Sequence, residues 1–272
     1  AGFTRYSYDT ERRDLILDEF GRVIGEEVTD VDDPVFQPDP LNLFRVSTAL
    51  VADNAFFAFV SPIRGGRSRF EIAQTFGTLN FTTLNLDWRR YFSPILPLTF
   101  AVRAMHLGRY GPDVSGGENN DRLFPIFLGF EGIIRGYSYE SFRGETECTR
   151  PDEPGAVQPC QELNRLYGHR IAALNFEMRV PLLGSDQYGL LSIPYIPTEF
   201  ILFQDVGLAW DDIRQPTMEF SRDPTARVPL FSSGVGARFN ILGFMILEAH
   251  YVVPWQRPAK GAHWGFLLSP GW

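Results

Sequence analysis

The chain has 272 residues, of which 44% are hydrophobic, 21% charged and 14% aromatic, and its formal net charge is −8. So many large apolar side chains exclude wholesale disorder, and an acidic chain is not a general nucleic-acid binder. The longest stretch free of Asp, Glu, Lys and Arg, residues 72–86, is too short and too polar for a membrane helix of roughly 20 apolar residues, which leaves a membrane β-barrel open.

The chain opens Ala-Gly-Phe-Thr-Arg, in which no secretory signal is visible, so a mature N-terminus or a cut is expected. Helical periodicity is nearly absent, and alternation of period two over about ten residues recurs instead. Strands are predicted over residues 2–18, 41–53, 67–76, 79–92, 97–109, 169–182, 197–210, 229–241, 244–254 and 261–272. Leu84, Leu86 and Trp88 oppose Asn85, Asp87 and Arg89. Ala172, Leu174, Phe176, Met178 and Val180 oppose Asn175, Glu177 and Arg179. Phe200, Leu202, Val206, Leu208 and Trp210 oppose Glu199, Asp205 and Gly207, with Gln204 interrupting one face and Ile201 and Phe203 joining the other. Leu247, Ala249, Tyr251 and Val253 oppose Glu248 and His250. Trp264, Phe266, Leu268 and Trp272 oppose His263, Gly265, Ser269 and Gly271.

A soluble sandwich or small barrel also alternates. Three features favour a transmembrane antiparallel β-barrel: many long strands with few helices to cover them, charge on the polar faces, and aromatics near strand ends. In a bilayer such a sheet must close. Connections are predicted tight at Phe76-Gly77, Ser93-Pro94 and Leu242-Gly243. They are predicted long and polar over residues 26–40, 110–168 and 211–228, and short turns at one end with long loops at the other suit an outer-membrane barrel. No linker divides residues 1–272, so one domain is expected.

The connection 110–168 is too long to be idle. At its centre Phe130-Glu131-Gly132-Ile133-Ile134-Arg135-Gly136-Tyr137 sets one arginine among apolar residues and glycines. If this segment folds back into the barrel, a buried Arg135 requires carboxylates. Glu177 and Asp205, on the polar faces of the next two strands, are the candidates. A solvated loop arginine is the alternative. Cys148 and Cys160 lie in the same polar loop and suit a local disulfide in an oxidising compartment, constraining the loop by roughly 3 kcal/mol. Two unpaired thiols are the alternative, and a metal site lacks further ligands nearby.

From about residue 41 onward the chain resembles the barrel of the BamA-like outer-membrane assembly-factor superfamily, also called the bacterial surface antigen family. Ile134-Arg135-Gly136-Tyr137 resembles its luminal-loop motif. Phe203-Gln204-Asp205-Val206-Gly207 resembles its later aromatic–acidic–glycine strand. Asn175-Phe176-Glu177-Met178-Arg179-Val180-Pro181-Leu182 resembles the strand between them. Asp53-Asn54 with Ser61-Pro62-Ile63-Arg64-Gly65, and Ser233-Gly234-Val235-Gly236-Ala237-Arg238 with Leu242-Gly243, resemble its flanking signatures. The resemblance implies that Arg135, Gly136 and Tyr137 enter the lumen and that Arg135 pairs with Glu177 and Asp205. It also implies that Cys148 and Cys160 lie outside the cell. Phe266, Leu268 and Trp272 would form a C-terminal strand recognised by assembly machinery. The family barrel has sixteen strands and this chain offers about ten, so a C-terminal portion of a longer protein is expected.

The function expected from the resemblance is protein insertion into, or translocation across, the outer membrane of a diderm bacterium. The alternatives are a passive anchor or export conduit for an N-terminal periplasmic module, and a plugged pore. Expected partners are outer-membrane lipids, unfolded outer-membrane proteins and periplasmic accessory proteins, with no nucleic acid. The glycines and proline of residues 261–272 either weaken the barrel seam or make room inside it. No enzyme activity, cofactor or metal is expected. His106, His169, His250 and His263 are scattered, and no nucleophile-elbow or metalloprotease motif is present. His250 and Glu248 share a face and could meet a serine on a neighbouring strand, although a satisfied interior histidine is the plainer reading. The acidic run at residues 26–34 is either a solvated loop or a divalent-cation contact.

Overall fold

The computed structural model describes residues 1–6, 11–17, 23–30, 40–114, 122–142, 160–185, 189–193 and 195–270, with backbone alone for 11–17, 23–30 and 270. The strands in chain order are β1 (Gly2–Tyr6), β2 (Glu11–Leu17), β3 (Val23–Asp30), β4 (Leu41–Asp53), β5 (Phe56–Phe57), β6 (Pro62–Gly77), β7 (Phe81–Ile95) and β8 (Leu98–Tyr110). They continue with β9 (Ile126–Phe127), β10 (Tyr167–Gly168), β11 (Arg170–Gly184), β12 (Leu191–Ser192), β13 (Thr198–Trp210), β14 (Leu230–Ile241), β15 (Met245–Pro254) and β16 (His263–Pro270). A single helical turn, α1 (Gln161–Asn164), precedes β10.

The long strands form one twelve-stranded sheet in the order β1-β4-β6-β7-β8-β11-β13-β14-β15-β16, with β5 and β12 as short additions. All neighbours on that path pair antiparallel. The sheet is not closed: among the described residues β1 and β16 are its two edges.

Period-two alternation sorts side chains to two faces, as a pleated strand requires. In β11, Ile171, Ala173, Glu177 and Arg179 are buried while Leu174 and Phe176 are exposed. In β13, Glu199, Ile201, Phe203 and Asp205 are buried while Phe200 and Leu202 are exposed. The sheet is therefore inside-out relative to a soluble one: charges and loop packing lie on one face, exposed Leu, Phe and Trp on the other. The charged face is concave. β6 and β13 are four steps apart in the sheet order, roughly 19 Å if flat, yet Ser61 Oγ, just before β6, donates to Glu199 of β13 at 2.6 Å. Asn240 of β14 likewise donates to the Phe59 carbonyl.

Several boundaries differ from expectation. Residues 2–18 are not one strand. They contain β1 and β2, and β2 leaves the main sheet to form a separate hairpin with β3. Acidic residues 26–30, read as loop, belong to β3; residues 31–34 lie outside the described residues. Charge masks a strand when neither of its faces has to be apolar. Ser93-Pro94 lies inside β7, and the turn follows at Leu96-Pro97. β6 begins five residues early, at Pro62, because its first residues pair with β5 and with the end of β7; within it Gly65 holds φ +87°, and a Cβ there would lie 2.1 Å from the Asn54 carbonyl oxygen. Leu242 and Gly243 form the expected tight turn with φ of 53° and 79°, the sign that hairpin turns matching strand twist demand.

Candidate functional site

The segment Arg122–Phe142 and residues 160–168 fill part of the concave side. Leu128 donates to the Leu166 carbonyl at 2.9 Å, and β9 pairs with β10. Leu128, Ile134, Tyr137, Phe142 and Leu166 form an apolar cluster with Ile171, Ala209 and Leu230 of the sheet wall. Burial of this kind, at roughly 25 cal/mol per Å², holds the loop as a plug.

The plug delivers Arg135 to the centre of the concave face, where it is 4% exposed. Its Nε and Nη2 donate to the two oxygens of Asp205, both at 2.8 Å. The fork matches the carboxylate in the bidentate geometry that only arginine offers. Its Nη1 lies 2.9 Å from Glu177 Oε1 and 3.2 Å from Glu248 Oε1. The guanidinium carbon lies 3.7 Å from the centre of the Phe203 ring, a cation–π contact. Asn175 ties plug and wall together, donating to the Ile133 carbonyl at 2.8 Å and to Asp205 Oδ1 at 2.9 Å. The structure thus brings Arg135, Glu177 and Asp205 together.

The two glycines singled out from the sequence have steric roles. Gly136 holds φ +82°, and a Cβ there would stand 2.9 Å from Val252 Cγ2. A Cβ on Gly207 would stand 3.0 Å from both Ile134 Cδ1 and Leu128 Cδ2. Wall and loop approach each other through these missing side chains. Tyr137 is fully buried, and its hydroxyl lies 3.2 Å from both the Phe231 carbonyl oxygen and Gln256 Oε1.

Several members of the cluster were not assigned from sequence. Glu248 pairs across the β14–β15 hairpin with Arg238, whose Nε donates to it at 2.7 Å. Arg238 also donates to both oxygens of Glu177, at 3.0 and 2.7 Å. Arg179 donates to Glu177 at 2.8 Å. The signal was available: a turn at Leu242-Gly243 sets the register that faces Arg238 with Glu248. Arg257, with no exposure, is a second clamp that no motif announced. Its Nη1 donates to the Gly136 carbonyl at 2.8 Å and to Ser141 Oγ at 2.7 Å.

His250 adds a further contact between wall and plug. Its Nε2 lies 3.1 Å from Glu131 Oε2 of the loop, and its Nδ1 lies 3.1 Å from Glu248 Oε1. The ring occupies space left by two glycines on neighbouring strands. A Cβ on Gly265 of β16 would fall 2.3 Å from Nε2, and one on Gly236 of β14 would fall 2.8 Å from the histidine Cβ. Those strands put glycine beside the ring, so the serine contemplated from sequence is not its neighbour there. Glu131 is held below the usual glutamate range: burial pushes its carboxyl up, but hydrogen bonds from His250 and Ser138 outweigh it, with Gly136 N–H assisting. A cavity of about 180 Å³ remains beside the cluster, bordered by Arg89, Arg103 and Glu131.

Phe266 and Leu268 lie on the exposed face of β16, at 64% and 58% exposure. Trp272 and Cys148 lie outside the described residues. Cys160 directly precedes α1. Among the described residues no group of His, Cys, Asp and Glu is arranged to hold a metal.

No family model matches this sequence, and no curated protein matches it. A solved structure does: BamA from Haemophilus ducreyi lacking POTRA domains 1-3, at a TM-score of 0.58 and 14% identity, covering 86% of this chain. The chain spans 44% of the length of that structure. At this identity the likeness establishes the fold: an antiparallel sheet of the BamA barrel kind.

Proposed function

We propose that this BamA-like sheet is an outer-membrane barrel of a diderm bacterium that acts in inserting proteins into, or moving them across, that membrane. The observation that carries the proposal is the ion-locked plug on the concave face of an inside-out sheet. Exposed Leu174, Phe176, Leu202 and Trp264 on the convex face suit lipid, since a wet, charged interior with an apolar exterior is the reverse of a soluble sandwich. The long connections share one end of the sheet and would face outside the cell. Cys148 and Cys160 would then be paired in an oxidising compartment, which non-reducing peptide mapping checks.

No covalent chemistry is required. An open sheet edge can accept an incoming strand by backbone pairing, and unfolded outer-membrane proteins and periplasmic accessory proteins are the proposed partners. The test is vesicle reconstitution of the full-length protein with an unfolded barrel substrate. Faster substrate folding is expected, and loss of that acceleration in Arg135→Ala. A plugged pore or passive anchor is the second reading, favoured by how completely the plug buries Arg135 and Tyr137. On that reading substrate folding is unaffected by the protein, while Arg135→Ala raises ion conductance.

A further inference from the structure

The convex surface carries a cleft that the luminal lock does not use. Its floor is the β13–β14 ladder, where Val206 faces Phe231 and Gln204 faces Ser233. Met218 and Phe220, from the connection between those strands, form one wall, and Trp255, just beyond β15, forms the other; the space is about 490 Å³. Both walls are fixed. Thr217 N–H donates to the Arg227 carbonyl at 2.9 Å, and Trp255 N–H donates to the Phe231 carbonyl at 2.9 Å. The Trp255 indole N–H donates to Ser233 Oγ at 2.7 Å. The Phe220 ring packs 6.1 Å from the Phe231 ring.

Met218 is 78% exposed and Phe220 56%, so this wall presents apolar surface that water covers poorly. Below the cleft the same ladder continues with Leu202 facing Val235, themselves 44% and 40% exposed. From Val206 to Leu202 the strand advances roughly 14 Å, so an extended hydrocarbon leaving the cleft would run down that track. At the rim an exposed arginine, Arg222, lies over the Phe220 ring at 5.9 Å and donates to the Trp255 carbonyl at 3.3 Å. Glu219 also borders the cleft and disfavours an anion on its own side, which leaves the Arg222 side for a negative group.

We propose that this cleft holds one acyl chain of an anionic membrane lipid, with the headgroup phosphate against Arg222. The proposal rests on the convex face being the lipid-facing one. The apolar walls of Met218, Phe220 and Trp255 fit a chain, and the rim cation fits a headgroup whose phosphate charge no ammonium offsets.

The test uses the full-length protein in vesicles of equal phosphatidylglycerol and phosphatidylcholine, extracted mildly and weighed by native mass spectrometry. The expected result is a retained lipid, phosphatidylglycerol several-fold over phosphatidylcholine. Val206→Trp, which fills the cleft, should abolish the adduct, and Arg222→Gln should bring the two lipids to parity. If Val206→Trp disturbs folding by circular dichroism, the loop variants Met218→Ala and Phe220→Ala replace it, with the same expected loss. An adduct that survives these substitutions overturns the proposal. So does equal retention of both lipids by the unaltered protein, or detergent adducts without lipid, which would mean an adventitious additive only. Failure of the unaltered protein to enter vesicles at all would instead contradict the membrane reading beneath it.

Discussion

Arg135 illustrates how one side chain can fix a loop. Two carboxylates and an aromatic ring receive it directly, a third carboxylate lies within 3.2 Å, and Asp205 has no exposure at all. Removing the cation leaves Asp205 buried without the arginine it pairs with, while Glu177 and Glu248 keep Arg238. Breaking a buried pair in this way costs about 3–5 kcal/mol. Arg135→Ala should therefore lower the urea midpoint of the folded protein in detergent by a correspondingly large amount. A cycle with Asp205→Asn should show coupling well above additivity, and near-zero coupling would dissolve the lock. Glu131 gives the pH dependence. Its folded-state affinity for a proton is lowered, so its contribution is present above the unfolded glutamate range and is lost as pH falls through the lower folded value. Protease cleavage of the plug should rise on acidification below about pH 4, and Glu131→Gln should flatten that dependence. Part of this chemistry was legible from residue type and strand parity. Arginine cannot shed its charge, and Glu177 and Asp205 fall on the polar faces. Arg257 was not legible, because the Gly136 and Ser141 carbonyls, the Ser141 hydroxyl and the Phe142 ring that it meets carry no sequence signature.

Among the elements, strands with one apolar face declared themselves. β4, β11, β13 and β15 begin and end within a residue or two of expectation, because a slip by one residue would exchange their two faces. β3 escaped detection: a strand in a detached two-stranded hairpin does not need an apolar face, so its acidic residues resemble a loop. The segment between β5 and β6 was illegible for another reason. Ser61 reaches Glu199 across the concave space, a long-range contact with no local period. The glycines near the end of the chain illustrate a related point. Gly265 stands where the His250 ring needs room, so its local function is steric accommodation. Gly265→Ala should destabilise the β15–β16 pairing by about 1–3 kcal/mol as overpacking does, and His250→Ala in the same protein should recover most of that loss. Hydrogen exchange of the β16 amides checks both. No recovery would mean that the glycine matters through backbone freedom instead.

The whole molecule turns on which face meets hydrocarbon. The sheet is open along β1 and β16, carries its ions and plug on the concave side, and exposes aliphatic and aromatic side chains on the other. In water that arrangement would leave far more apolar surface uncovered than a soluble chain tolerates. In a bilayer the convex residues are matched and the buried charges sit in a polar interior. The direct measurement is a nitroxide scan through residues 172–180 of β11 in vesicles, with Cys148 and Cys160 replaced by serine, reading collision with oxygen and with a water-soluble nickel chelate. Labels at 172, 174, 176, 178 and 180 should collide with oxygen and be shielded from nickel, and labels at 173, 175, 177 and 179 should lose the oxygen preference. Nickel access at the even positions, or no alternation along the strand, would contradict the account.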